Sequence, residues 1–353
     1  VLHYGKNTLE DNTFGLNMEN SLFRRWINAP IKVNTNFCKA LRYRNGLNAA
    51  LVYLIDFFRN KEYDIIYCHF GPNGKLIAEL QELRIIPLTT KIIVRFHGLD
   101  LNFSKYKSKY YKILVKKSIP VLAGSEYAIK SLLTYNFSLN QIFKTPVGVK
   151  IRDFSKQNKI YNESEIFHIV SIGRLVNFKG HLLAIEIIRE LVKVNNKIKY
   201  SIVGSGPLHD QIQQLIIESN LQMIIEVIPK LSHDKIFDLL EKSHLYLYPG
   251  IKDKTGREET QGLANLEAMS IGLPILSSKI GGTVDYIIDG ETGFLCDAGN
   301  VKCFVDKLNW LIKNYNEEEL YKIKDNARNM VNKNYCQDML NKNLLEVLLS
   351  QVK

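Results

Sequence analysis

Long apolar runs are missing from this sequence: none of eighteen residues occurs among its 353 residues, which excludes a membrane-spanning helix within them. Cysteine is sparse. The five cysteines (Cys38, Cys68, Cys296, Cys303 and Cys336) are scattered without a C-x-x-C pair, so no zinc-type ligand set is present. They are expected to be reduced and buried, as in a cytosolic protein. Short-period repeats and low-complexity tracts are absent too, which excludes a solenoid. Acidic residues are scarce in the first half. Residues 1–150 hold 22 Lys and Arg against 10 Asp and Glu, a net +12, whereas residues 151–353 hold 25 against 26, a net −1. A basic half of that kind points to an anionic partner, either a membrane surface or nucleic acid. No recognisable nucleic-acid reading module accompanies the charge, so nucleic acid is not expected as a partner. The opening V-L-H-Y reads as the middle of a strand, so the chain is expected to lack its native start, and a missing signal peptide excludes little.

At this length two domains are expected. After a polar, Asn-rich opening with a helix pattern over 47–58, strands and helices alternate: strand 64–69, turn 71–74, helix 75–83, strand 91–96, helix 105–117, strand 121–123, helix 126–133. A polar linker follows over 150–165. The second half repeats the pattern, with strands at 167–172, 200–203, 224–228, 245–248 and 274–277, and three helices over 301–352. Alternation of this kind predicts parallel sheets in doubly wound layers, with ligands at the carboxyl ends of the strands and a cleft between the layers.

The chain is organised around R-E-E-T-Q-G-L-A-N-L-E-A-M, residues 257–269. A helix is expected to begin near Gly262, leaving unpaired N–H groups and the positive end of the helix dipole for a phosphate or a sugar oxygen. Glu259 then sits in the loop before that end, and Glu267 about a turn and a half into the helix. The bland alternative is a solvated acidic loop feeding a core helix.

G-R-L-V-N-F-K-G, residues 173–180, ends a strand and opens a helix, placing Gly173, Arg174 and Lys179 where two cations could hold a diphosphate. An exposed Arg and Lys in an ordinary turn is the alternative. G-S-G-P from Gly204 is half of a dinucleotide fingerprint and reads more readily as a tight turn. His97, after an apolar strand and before Gly98, is expected to reach a ligand or to tie two loops together, with His69 in an equivalent place. Lys105, Lys107, Lys109, Lys112, Lys116 and Lys117 interleave with tyrosines on a predicted amphipathic helix. That helix could meet anionic lipid, track a nucleic-acid backbone or form a solvated face.

Taken in order, G-R-L-x-x-x-K-G, G-S-G-P, the Glu259 and Glu267 pair within G-L-A-N-L-E-A-M, G-L-P-I-L-S, the G-G turn and D-G-E-T-G-F-L resemble the donor half of retaining glycosyltransferases of family 4, over 166–314. H-F-G-P-N-G and R-F-H-G-L-D-L are similar to enzymes of the colanic acid and amylovoran type. The resemblance implies an α/β GT-B fold: two Rossmann-like domains facing across a cleft, the first lacking its initial strand and helix. The domains would run 1–150 on the acceptor side and 151–334 for the nucleotide sugar, with a C-terminal helix over 335–353 packing back on the first. It implies that Glu267 holds the ribose, Glu259 faces the donor sugar, and Thr260, Gln261, Gly262 and Leu263 meet sugar and diphosphate through their backbone. Gly173 and Gly204 would line the donor site. Arg174 and Lys179 would stabilise the departing diphosphate, and His97 would touch the transferred sugar. No metal and no cofactor are expected, because two cations and a helix end can stabilise the leaving phosphate. Thr260 and Gln261 depart from the group's usual Gly and apolar residue, and Val284-Asp285 from its Pro-Glu.

The expected function is therefore hexosyl transfer from a nucleotide sugar, UDP favoured over GDP, to a lipid-linked saccharide in bacterial surface polysaccharide assembly. The enzyme would be cytoplasmic, peripheral at the inner face of the membrane, with His69 and the lysine run on the acceptor or membrane side. A nucleotide-sugar epimerase of the same fold and a catalytically idle homologue acting as a binding partner are the alternatives.

Overall fold

The computed structural model of the chain describes residues 2–5, 8–10, 58, 62–101, 108–151 and 160–351. Nearly all of the expected helix over 47–58, Lys105, Lys107 and the middle of the expected linker lie outside the described residues. Two compact units emerge, Val1–Ala123 with Ile129–Lys144 and Leu344–Lys353, and Gly124–Ala128 with Thr145–Asn343.

The first unit carries a six-stranded sheet made of β1 (Leu2–Gly5), β2 (Thr8–Glu10), β3 (Ile65–His69), β4 (Lys91–Arg95), β5 (Val121–Ala123) and β6 (Ile142–Lys144). Its order is β2-β1-β3-β4-β5-β6. The strands β3 to β6 are parallel, and β1 pairs antiparallel with both β2 and β3, so the sheet is mixed where alternation predicted a parallel one. The cores of β3 and β4, I-I-Y-C and I-I-V, are almost wholly apolar because both faces of a parallel sheet are covered. On one face Ile65, Tyr67, Ile93 and Leu122 pack against Leu344, Val347 and Leu348 near the chain's C-terminus.

Two expectations change here. The G-P-N-G segment is not a turn but the first turn of helix α1 (Gly71–Glu82). Pro72 has no N–H to lose at a helix start, and the N–H groups of Asn73 and Gly74 donate to the Phe70 carbonyl at 3.1 and 3.2 Å. The described part of the lysine run is not one helix but a 3₁₀ turn, Ser108–Tyr111, followed by the short α2 (Lys112–Lys116). The break falls where Tyr111 turns into the core, fully buried, with its hydroxyl donating to the Asp100 carbonyl at 2.7 Å.

The second unit is a six-stranded parallel sheet, in the order β12-β11-β10-β7-β8-β9. Its strands are β7 (Phe167–Ile172), β8 (Ile198–Val203), β9 (Ile225–Ile228), β10 (Leu245–Tyr248), β11 (Ile275–Ser278) and β12 (Phe294–Cys296). Successive side chains alternate between faces. Phe167, Ile169, Leu245 and Leu247 enter one apolar cluster; Val170, Ile172, Tyr246 and Tyr248 enter the other. The first cluster takes α4 (His181–Leu191), α5 (His209–Glu218) and α8 (Val301–Lys313); the second takes α6 (His233–Lys242) and α7 (Leu263–Ser270). Helix α9 (Glu318–Asn334) contributes to both clusters, and α10 (Gln337–Ser350) ends the described chain. The helix entering the first unit's span is α3 (Glu126–Thr134).

The cysteine expectation is corrected. Cys296 at the end of β12 is bonded to Cys303 in the first turn of α8, with Cα atoms 5.9 Å apart. A separation of seven residues, closed by the turn Asp297–Asn300, brings together two thiols that no C-x-x-C spacing announces. Cys68 and Cys336 are free, and burial pushes the Cys68 thiol up to about 12.

Candidate active site

In the second unit, three loops at the carboxyl ends of adjacent strands are stitched into one surface. After β7, the Leu175 N–H donates to the Ser205 carbonyl at 2.9 Å and the Leu208 N–H to the Leu175 carbonyl at 3.1 Å, joining the loops that follow β7 and β8. Gly204, at φ 155°, allows the approach, because a Cβ there would stand 1.9 Å from the Gly173 carbonyl oxygen. The G-S-G-P segment is thus a tight turn against G-R-L. On the other side, the Ile251 N–H donates to the Phe178 carbonyl at 3.0 Å, tying in the loop after β10.

This frame positions the charges. Lys179 closes a 3₁₀ turn (Asn177–Lys179), and its Nζ donates to Glu259 Oε2. The same Oε2 accepts from the Tyr248 hydroxyl at 3.2 Å, and Oε1 accepts from the Thr260 N–H at 3.1 Å. Burial acts to raise the Glu259 carboxyl, but the Lys179 charge and these hydrogen bonds outweigh it and hold the group below its ordinary value. Arg174 is exposed, with its guanidinium 6.0 Å from the centre of the buried Phe178 ring. Gly173, half-buried, lies beneath the Lys179 stem.

Helix α7 begins at Gly262, whose left-handed conformation (φ 78°) turns the chain into the helix. Ahead of it, Gln261 is buried: its amide accepts from the Val147 N–H at 2.9 Å and donates to the Val147 carbonyl at 2.6 Å. Thr260 and Leu263 remain partly open. The G-G turn supports this segment from behind. Gly282 donates to the Glu259 carbonyl at 2.9 Å, and a Cβ on Gly281 would stand 2.0 Å from that same oxygen. Glu267, further along α7, is half-buried and meets His233 Nε2 at 2.9 Å, a partner the sequence reading did not name.

The histidines lie in the first unit. His69 Nδ1 and His97 Nε2 are 2.8 Å apart, with the rings stacked at 5.0 Å, so one proton lies between them and the tautomer of one ring sets that of the other. Burial first, then the neighbouring His69 and Arg95, pulls His97 down to about 4. The buried Asp100 carboxylate accepts from the His97 N–H and the Gly71 N–H, both at 2.8 Å, and fixes the H-G-L-D turn. Lys109, Lys112 and Lys116 are exposed and Lys117 is half-buried in the same unit.

The model of the family "Glycosyl transferases group 1" matches residues 150–330, just over half of the chain. The chain belongs to that family. This group 1 glycosyl transferase is 25% identical over 288 residues to an Escherichia coli (strain K12) protein whose name assigns it to colanic acid biosynthesis as a glycosyltransferase, covering 81% of this chain and 70% of that one. It is 26% identical over 289 residues to the amylovoran biosynthesis glycosyltransferase of Erwinia amylovora, with the same shares covered. Among solved structures, the Anabaena protein HepE in complex with UDP-glucose matches with a TM-score of 0.70 at 16% identity, covering 90% of each chain. The fold is the two-unit α/β architecture of GT-B glycosyltransferases.

Of the residues singled out in sequence, the glycosyl transferase brings Gly173, Arg174, Lys179 and Glu259 together in one unit, with Gly204 and Thr260 to Leu263 framing them, and pairs His69 with His97 in the other. Sequence reasoning missed Arg257, whose guanidinium sits 4.4 Å from the Phe178 ring centre. It opens the R-E-E segment only two positions before Glu259. Among the described residues, no group of three or more His, Cys, Asp or Glu side chains could hold a metal ion.

Proposed function

We propose that this glycosyl transferase is a retaining hexosyltransferase that moves a hexose from a nucleotide sugar, UDP-linked in preference to GDP-linked, to a lipid-linked saccharide in bacterial surface polysaccharide assembly. The observation that carries the reading is the gathering of Arg174, the Lys179–Glu259 pair and the N-terminus of α7 at the carboxyl edge of one parallel sheet. Glycosyl transfer breaks the bond from the anomeric carbon to the diphosphate, so negative charge develops on the departing phosphate. Fixed cations and helix N–H groups stabilise that charge without reorganising, which is the property a catalyst requires, and they do so without a metal.

Glu259, held ionised, faces the donor sugar's hydroxyls, and Glu267 takes the ribose. His97, held neutral, offers a nitrogen to a saccharide hydroxyl. Polysaccharide assembly follows from the names of the relatives, colanic acid and amylovoran biosynthesis. The preference for UDP is supported by a structural neighbour whose crystal structure holds UDP-glucose. Among the described residues no helix is long and apolar enough to cross a membrane. Lys109, Lys112, Lys116 and Lys117, with Lys105 and Lys107 before them in sequence, dock the enzyme on anionic headgroups at the inner face of the membrane, where a lipid-linked acceptor is confined.

The test is incubation of the protein with a panel of labelled sugar nucleotides and a membrane extract, followed by lipid extraction. Label in the lipid phase from one donor supports the reading. Epimerised or hydrolysed donor without a lipid product would replace it with the epimerase alternative.

A further inference from the structure

Three cations share the Phe178 ring. The guanidinium of Arg257 lies 4.4 Å from its centre, Lys179 Nζ 5.6 Å and the guanidinium of Arg174 6.0 Å. Lys179 is compensated by Glu259. Among the described residues neither arginine forms an ion pair, although Asp253 and Glu259 act on Arg257 at longer range. Burial, then the charge of Arg174, pulls Arg257 below the ordinary guanidinium value, as expected of like charges held close together.

Arg257 is also held in place by design of its loop. The Asp253 N–H donates to the Arg257 carbonyl and the Arg257 N–H to Asp253 Oδ1, both at 3.0 Å. That carboxylate oxygen also accepts from the Thr255 N–H at 2.8 Å and the Thr255 hydroxyl at 2.6 Å. Gly256, at φ 82°, completes the turn. The loop fixes the backbone of Arg257 within reach of the Arg174 charge, which acts on it as a repulsion, and an anion bound by both guanidiniums would reverse the sign of that interaction.

We infer that Arg257, together with Arg174, grips the donor's diphosphate, and that Asp253 is the positioning residue that presents it. The inference rests on the nucleotide-sugar reading above and extends it. A diphosphate ester carries two negative charges, matched by the two arginines, while the Lys179–Glu259 pair is neutral as a unit. During transfer the bond from the anomeric carbon to the phosphate oxygen breaks with its electron pair on that oxygen. The carbon bonds to the acceptor oxygen, and the acceptor's proton passes to the departing phosphate. Arg257 is placed to stabilise the charge that this step develops.

The test is calorimetric titration of the full chain with UDP, GDP, UMP and uridine, using wild type, Arg257→Gln, Arg257→Lys, Asp253→Ala and Arg174→Gln, each checked for an unchanged thermal transition. Arg257→Gln is expected to weaken UDP about 10- to 100-fold, the range of one charged hydrogen bond, while leaving uridine unchanged. Asp253→Ala should weaken UDP in the same sense, and Arg257→Lys should recover part of the loss. A structural role for Arg257 would move uridine and UDP together. If Arg257→Gln binds UDP like wild type while Arg174→Gln loses it, the assignment of Arg257 fails and the nucleotide-sugar reading stands. If wild type binds neither UDP nor GDP, both fall.

Discussion

Replacing Lys179 by Met leaves Glu259 buried without its counter-charge, and the two halves of this pair differ in what they lose. Removing one partner of a fully buried ion pair costs about 3–5 kcal/mol. Here the two side chains keep 15% and 11% of their exposure, and Glu259 retains the Tyr248 hydroxyl and the Thr260 N–H. A loss of about 2–3 kcal/mol from the second unit is therefore expected for Lys179→Met. Glu259→Gln should cost less, about 1–2 kcal/mol, because the freed ammonium stays near the Phe178 and Tyr248 rings and its flexible stem can reach water. The double variant should be less destabilised than the sum of the two by about 1–2 kcal/mol. The chain has two tryptophans, and Trp310 lies in the second unit, so its fluorescence in a Trp26→Phe background follows urea unfolding of that unit. Acid gives an independent check. The folded-state value of Glu259 lies below its ordinary 4.5, so its stabilising contribution is complete above that pH and is lost as pH falls through the folded value. Glu259→Gln should flatten that acid limb. A coupling below about 0.5 kcal/mol, the range of an exposed pair, would refute the reasoning.

Gly281→Ala should destabilise the second unit by at least about 2 kcal/mol in the same unfolding assay, because the new Cβ meets the Glu259 carbonyl at 2.0 Å and φ is 53°. His97 has its folded value lowered from 6.5 to about 4, so its contribution to the first unit is present above pH 6.5 and lost as pH falls towards 4. Proton NMR of the His97 ring should show it neutral at pH 6, and titration near 6.5 would contradict the burial argument. Replacing Lys109, Lys112, Lys116 and Lys117 by Gln should remove several kcal/mol of binding to anionic vesicles, at about 1 kcal/mol per lysine, and wild-type binding should fall with salt. Equal sedimentation with neutral and anionic vesicles would leave the lysines as a solvated face. Reducing Cys296–Cys303 should lower the stability of the second unit by about 2 kcal/mol, from closure of a short loop, and an unchanged transition would show that the bridge contributes nothing.

The parallel sheets were legible because both faces of each strand are covered, so runs such as F-H-I-V-S-I stand out from the polar turns around them. The antiparallel pairing of β1 was not, since four apolar and polar residues carry no sign of strand direction. In the site, Arg174, Lys179 and Glu259 could be found because glycines mark the loops that hold them. What spacing could not reveal is which charges meet. Lys179 and Glu259 are 80 residues apart, and only the fold makes them partners. Arg257 was hidden for the opposite reason: beside two glutamates in sequence it looks like part of a solvated charged loop, and the Asp253 turn that aims it is invisible to periodicity. The two departures from the family pattern have local roles. Gln261 clamps Val147, and Asp285 Oδ2 accepts from the Glu126 N–H at 2.8 Å, at the start of α3.

The central claim is retaining transfer of a hexose from a nucleotide sugar, and following the anomeric protons by NMR during turnover tests it most directly. With the sugar nucleotide that the labelled panel identifies as donor and a lipid-linked acceptor fraction from membranes, the account predicts that the donor's α-anomeric signal decays while an α-linked product signal and the nucleoside diphosphate grow in equal measure. A β-linked product would contradict retention, and conversion of the donor to its epimer with no acceptor product would contradict transfer itself.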